Sequence, residues 1–239
     1  MKIALGVGLV IIIAIVILII SKNKSPNSIQ SSQNTQSNFF SLNDGNQDEL
    51  IFKVELSQTW LDSLNNKYTW DKFNEYDNKM WEYMYNIFDK TVEESNAKTN
   101  EELWSKFNRH QKLFWTFLAF NGDTDNGGVY QFIFNRPQFI FAVEEMFKEL
   151  GLNQLHKDYT KILEELAGKQ GKILELKSQF NDQSKTWNKR WDSFAQGYKE
   201  LKSTETIENY YYSNESRVIV HQKVADYIEK NLSKFAVVK

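Results

Sequence analysis

Thr99-Asn-Glu-Glu-Leu-Trp-Ser-Lys-Phe-Asn-Arg-His-Gln-Lys-Leu-Phe-Trp-Thr-Phe-Leu118 decides the fold class. Thr99 and Glu102 fit a capping box, in which the hydroxyl accepts from a free amide of the first turn and the glutamate reaches back. Trp104, Phe107, Phe114, Trp115 and Leu118 then recur at helical spacing and mark one buried face, with the helix expected to stop at an Asn121–Gly122 turn. Upstream, Trp70, Phe73, Tyr76, Met80, Met84 and Ile87 form a second stripe at intervals of three and four. Downstream, a short helix is expected over 127–134. Pro137 ends it and opens the next, which runs through Phe141, Phe147 and Leu150 to a glycine cap at Gly151. Further helices are predicted at 153–167, 172–180, 185–201 and 216–234. No sustained alternation of apolar and polar residues occurs after Glu49, and the 239 residues hold only two prolines. The expected fold is all-α: one multi-helix globular domain over 49–239.

The chain ahead of this domain has a different character. Residues 3–20 carry no charge and are almost entirely aliphatic, so as a helix they would extend about 27 Å, near the thickness of a bilayer core. The sequence predicts a single-span anchor over 1–21, with Ile3, Leu9, Ile15 and Ile20 among its lipid-facing residues. Lys22 and Lys24 follow the run and only Lys2 precedes it, which places the domain on the cytoplasmic side. Residues 22–48, rich in Ser, Asn and Gln, read as a polar tether interrupted by Phe39 and Phe40, a local docking point on the domain.

Charge and composition exclude several functions. The chain carries a formal charge of −2, with no basic field to bind nucleic acid directly. Its charge is uneven, with 12 acidic against six basic residues over 49–102, and nine against 13 from Gly168 onward. There is no cysteine, and His110, His156 and His221 form no pair at helical ligand spacing, so neither a metal nor a cofactor is expected. His221 shares a face with Val218, Ala225, Ile228 and Leu232 and reads as a core histidine. The paired glutamates 93–94, 101–102, 144–145 and 164–165 read as solvated helix faces.

One block resists such assignments: Asn121-Gly-Asp-Thr-Asp-Asn-Gly-Gly-Val-Tyr-Gln-Phe-Ile-Phe-Asn135. Asn121, Asp123 and Asp125 alternate as calcium-loop ligands do, but the glycine and the bidentate glutamate that such a loop needs are missing in that frame. Asn126, Gly127, Gly128, Gln131 and Asn135 form a candidate binding surface. Packing is the competing account, with a glycine admitting a neighbouring element and the amides satisfying backbone groups.

The motif Asn126-Gly127-Gly128-x-x-Gln131-Phe132-x-x-Asn135 resembles that of the C-terminal domain family named after a bacterial DNA-mimic protein. Phe114-Trp115-x-Phe117 and Ala142 to Leu150-Gly151 are similar to it as well. The resemblance is close over 114–151 and looser over 70–198. It implies an all-α fold and supplies no catalytic residue. The expected function is a membrane-tethered, non-enzymatic module that binds a protein partner. Two alternatives stand beside it. One is an enzyme or ligand or metal binder using 121–135. The other is a DNA mimic acting through the acidic half, with Glu75, Asp77, Glu82, Asp89, Glu93 and Glu94 along one face.

Overall fold

A computed structural model describes residues 39–68 and 72–239. The expected anchor at 1–21, the tether residues 22–38 and Trp70 lie outside the described residues. Among the described residues, no helix is long and apolar enough to cross a membrane.

The chain runs through β1 (Glu55–Leu56), α1 (Gln58–Lys67), α2 (Phe73–Tyr83), a π-helical turn (Met84–Asp89) and α3 (Lys90–Ser95). It continues through α4 (Asn100–Lys106), α5 (Arg109–Asn135), a 3-10 turn at Pro137–Phe139, α6 (Ile140–Glu149) and α7 (Asn153–Gly168). Last come α8 (Gln170–Asn181), α9 (Trp187–Glu200), α10 (Ser203–Tyr211), α11 (Asn214–Lys230) and β2 (Val237–Val238). The all-α expectation holds apart from β1 and β2, which pair in parallel for two residues and tie the C-terminus back beside α1. Helix α5 is the central element, contacting α6, α10 and α11. Phe114, Phe117, Phe120, Phe132 and Tyr130 are all buried along it.

Several boundaries differ from the sequence reading, each for a local reason. The helix begun at Thr99 breaks at Phe107. Asn108 caps a new helix there by a reciprocal pair, accepting from the Gln111 amide at 3.0 Å while Gln111 Oε1 accepts from the Asn108 amide at 3.1 Å. Thr99 caps as expected, accepting from the Glu102 amide at 3.1 Å, although Glu102 reaches the Lys98 amide instead of Thr99. The turn expected at Asn121–Gly122 is absent, and α5 passes straight through it. Pro137 and Gly151 do mark element ends, the latter with φ of 66°.

The globular unit begins before Glu49. Phe39, Phe40 and Leu42 are buried, and the Phe40 amide donates to Gln138 O at 2.8 Å. Phe40 stacks on Trp104 at 4.5 Å and meets Phe139 edge-on at 4.9 Å. Residues 39–48 are therefore a packed strap, and the tether boundary moves back accordingly. Glu145 also departs from the solvated-face expectation, accepting from the Leu42 amide at 2.6 Å and from the Ser41 hydroxyl. Glu165 does likewise, taking the Ser203 amide at 2.8 Å together with the Ser203 hydroxyl and Lys169. Burial opposes its ionisation, but those donors prevail and hold its pKa at about 2.

Lys112 fastens the strap. Its side chain is fully buried, and its ammonium donates to the carbonyls of Asp44 and Asn46 while lying over the Trp104 ring. Burial lowers its pKa to about 8, with Asp44 opposing the shift and Arg109 adding to it. Replacing Lys112 with Met keeps most of the packing and leaves Asp44 O with its second donor, Gln47 Nε2 at 3.1 Å, but strips Asn46 O of the ammonium, a cost of about 1–3 kcal/mol. The unfolded chain holds its Lys112 proton to higher pH than the folded chain does. Wild-type stability therefore gains a component as pH rises from about 8 toward the ordinary lysine range. Urea unfolding across that range should show the component in the wild type and not in Lys112→Met.

Candidate functional site

The glycine–amide block is a joint inside α5. Helical geometry stops at Gly127 (φ −169°, ψ 27°) and Gly128 (φ 85°, ψ 171°) and resumes at Val129. A second half-helix thus starts with free amides pointing into the protein interior. The Val129 amide donates to Glu208 Oε1 of α10 at 2.6 Å, and the Gln131 backbone lies hydrogen-bonded to Tyr198 of α9. A cap ordinarily supplied by a neighbouring residue comes here from two other helices.

Both glycines are explained, unequally. A Cβ on Gly128 would stand 2.6 Å from Glu208 Oε1 and 2.6 Å from the Tyr198 hydroxyl, at a φ that L-residues rarely adopt. A Cβ on Gly127 would first meet the carboxamide of Gln131, which folds back over it and can swing away. Gly127→Ala should change stability by no more than about 0.5 kcal/mol, checked by thermal denaturation.

The other motif residues differ in exposure. Asn126 and Asn135 are exposed, Gln131 is half-buried and Gly128 is buried. Asp123 accepts from Arg136 Nε at 2.5 Å and from Asn135 at 3.1 Å. Asp125 instead takes Arg217 of α11 at 2.5 Å and Asn121 at 3.2 Å, and Asn121 in turn accepts from the Tyr211 hydroxyl. Asp123 and Asn135 thus pair with each other beside Arg136, while Asp125 turns to α11. Among the described residues, no group of three or more His, Asp or Glu could hold a metal ion. His221 is wholly buried between the edges of Phe73 and Phe117. Its Nδ1 lies 2.9 Å from Arg217 O and its Nε2 3.6 Å from Asp77.

Burial raises the Glu208 carboxyl above its ordinary range, the Val129 amide offsets part of this, and Glu205 adds to it. A raised folded-state pKa means that stability from this group is greatest at acid pH and declines as pH rises through that pKa. The neutral isostere in Glu208→Gln keeps an oxygen acceptor and removes this penalty. At neutral pH it should unfold at or above the wild-type temperature, whereas Glu208→Ala should lose about 1–3 kcal/mol by orphaning the Val129 amide.

A second feature, missed in the sequence, lies on α2 and the π-turn. Trp81 and Tyr85 stack at 5.9 Å and are 48% and 56% exposed, too open for core and too large for ordinary surface. Beside them a shallow cavity of about 80 Å³ is lined by Met80, Met84, Leu118, Asn121, Gly122 and Asp77. The i, i+4 spacing of Trp81 and Tyr85 sets the two rings on one face where α2 passes into the π-turn at 84–89. Acidic side chains are frequent along the same stretch of chain. Glu82 pairs with Lys67 at 3.3 Å, Asp89 is raised by burial and by Glu93, and Glu93 and Glu94 are exposed. The stripe of intervals three and four was visible in the sequence, but it placed Trp81 and Tyr85 simply off the buried face.

No curated protein and no solved structure matches the chain. Residues 105–231, which run from the end of α4 through α11 and include the whole α5 joint with its Glu208 and Tyr198 caps, match the family described as DMP19-like protein. That match covers more than half of the sequence, and the chain belongs to the DMP19-like family.

Proposed function

We propose that this chain is a non-enzymatic interaction module, tethered to a membrane by its N-terminal apolar run, that docks a basic segment of a partner protein on the α2 face. The observation that carries this is the exposed Trp81–Tyr85 stack beside the methionine-lined cavity. Exposed aromatics flanking an adaptable Met-rich depression suit an inserted apolar side chain. Glu82, Asp89, Glu93 and Glu94 along the same stretch of chain suit Lys or Arg on the docked segment. The glycine–amide block supports the module from inside and leaves recognition to α2.

A second reading is favoured by the same acidic row: the face displaces DNA from a DNA-binding partner. Asp77 departs from such a row by facing His221, and Lys67 neutralises part of Glu82. Placing a photo-reactive amino acid at position 85 of the full chain in its native membrane tests both. The expected result is a crosslink to a basic segment of one protein, lost in Trp81→Ala and weakened by salt. Competition by duplex DNA would favour the mimic reading. Absence of a crosslink from position 85, with crosslinks from an α9 control position, would contradict the docking face.

A further inference from the structure

We propose that the outer face of α9, built on Trp187 and Trp191, is a bilayer contact that lays the domain against an anionic membrane surface. The inference rests on the tether reading for its setting and on separate residues for its content. Trp187, Trp191, Phe194 and Tyr198 recur along one face of α9. The last two pack inward on Tyr130, at 5.2 and 5.0 Å, and so anchor the helix to the α5 joint. The first two continue the stripe into solvent, stacked at 5.6 Å and 59% and 49% exposed. Arg190 spreads over the Phe180 and Trp187 rings at 5.3 and 5.4 Å and donates to Phe180 O, which stiffens the patch. Indole rings of this kind settle at the headgroup level of a bilayer, where a flat apolar body and one N–H donor are both accommodated.

Charge and position select the occupant. Lys185, Lys189 and Arg190 flank the rings. Of the two nearby carboxylates, Asp182 is kept ionised by the Ser184 amide at 3.0 Å and its hydroxyl at 2.6 Å and Asp192 is exposed, so the three cations exceed them by one charge. The local excess is basic, the opposite of the α2 face, and matches anionic lipid headgroups. Beneath the tryptophans, Phe134 packs on Phe180 at 5.1 Å and on Phe194 at 5.0 Å. Residues 21–38 between the apolar run and the strap can reach at most about 60 Å when fully stretched, so an anchored domain stays close to its own bilayer.

The test reconstitutes the full chain into vesicles of phosphatidylcholine, with and without phosphatidylserine, carrying bromine on their acyl chains as a tryptophan quencher. Flotation of the vesicles reads the tether, and fluorescence quenching reads the patch. Wild-type protein should float and be quenched, more strongly with phosphatidylserine. Trp187→Ala/Trp191→Ala should float equally and lose most of that quenching, Lys185→Glu/Lys189→Glu should lose its dependence on phosphatidylserine, and Trp81→Ala should keep it. A chain that floats with quenching unchanged by the double alanine substitution would overturn the patch alone. A chain that does not float would overturn the tether reading and the patch with it.

Discussion

Gly128→Val should be among the most damaging single substitutions in the domain, costing about 3–5 kcal/mol in equilibrium unfolding. Two independent penalties add. The residue sits at φ 85° and ψ 171°, a region essentially reserved for glycine, and a β-branched side chain there is strained whatever space surrounds it. The new carbon also falls 2.6 Å from Glu208 Oε1 and from the Tyr198 hydroxyl, the two groups that cap the second half of α5. Relief would require both to retreat, which strips the Val129 amide of its acceptor. Chemical denaturation should show the loss, and loss of near-ultraviolet circular dichroism from the aromatic cluster around Tyr130 should accompany it.

Gly197→Ala should cost a comparable amount, about 3 kcal/mol or more, through overpacking alone. Its Cβ would lie 1.8 Å from the Tyr130 hydroxyl and 2.1 Å from the ring carbon bearing it. Tyr130 cannot move aside, because it is fully buried among Phe134, Phe194 and Tyr198. The helix propensity gained by alanine is about 1 kcal/mol and does not offset a contact that short. The double substitution Gly197→Ala/Tyr130→Phe removes the hydroxyl and should recover part of the loss, which distinguishes this contact from a general intolerance of α9.

These two positions show what the sequence could and could not disclose. Helical periodicity in 99–118 and 73–87 was sufficient for the fold class, since apolar stripes of that spacing have few other uses. The break at Asn108 was written locally, in the Asn108-x-x-Gln111 box, but the apolar face runs across it and hid the interruption. Helices α1 and α10 went unread because short helices held by tertiary contacts carry weak patterns of their own. At Asn121–Gly122 the local turn signal was overruled from a distance: Tyr211 and Arg217, far along the chain, hold Asn121 and Asp125 within a continuous helix. The glycine pair was legible as a place of close approach, not as a break in the helix. The physical reason for that break was not legible, because the caps come from Glu208 and Tyr198. Glu145 and Glu165 were misread for the same reason, each being an acceptor for a segment distant in sequence.

The α2 face and the α9 face were both hidden in aromatic abundance. With seven tryptophans and 17 phenylalanines in the chain, composition cannot separate Trp81, Tyr85, Trp187 and Trp191 from rings that pack inside. Only the surrounding helices decide which faces remain open. The glycine–amide block, by contrast, is an internal joint capped by Glu208 and Tyr198.

Amide hydrogen exchange at Val129 tests that capping most directly. The account predicts a protected Val129 amide in the wild type, retained protection in Glu208→Gln and at least about tenfold faster exchange in Glu208→Ala, the factor that corresponds to losing roughly 1.4 kcal/mol. A Val129 amide that exchanges freely in the wild type, or whose protection is indifferent to Glu208→Ala, would contradict it.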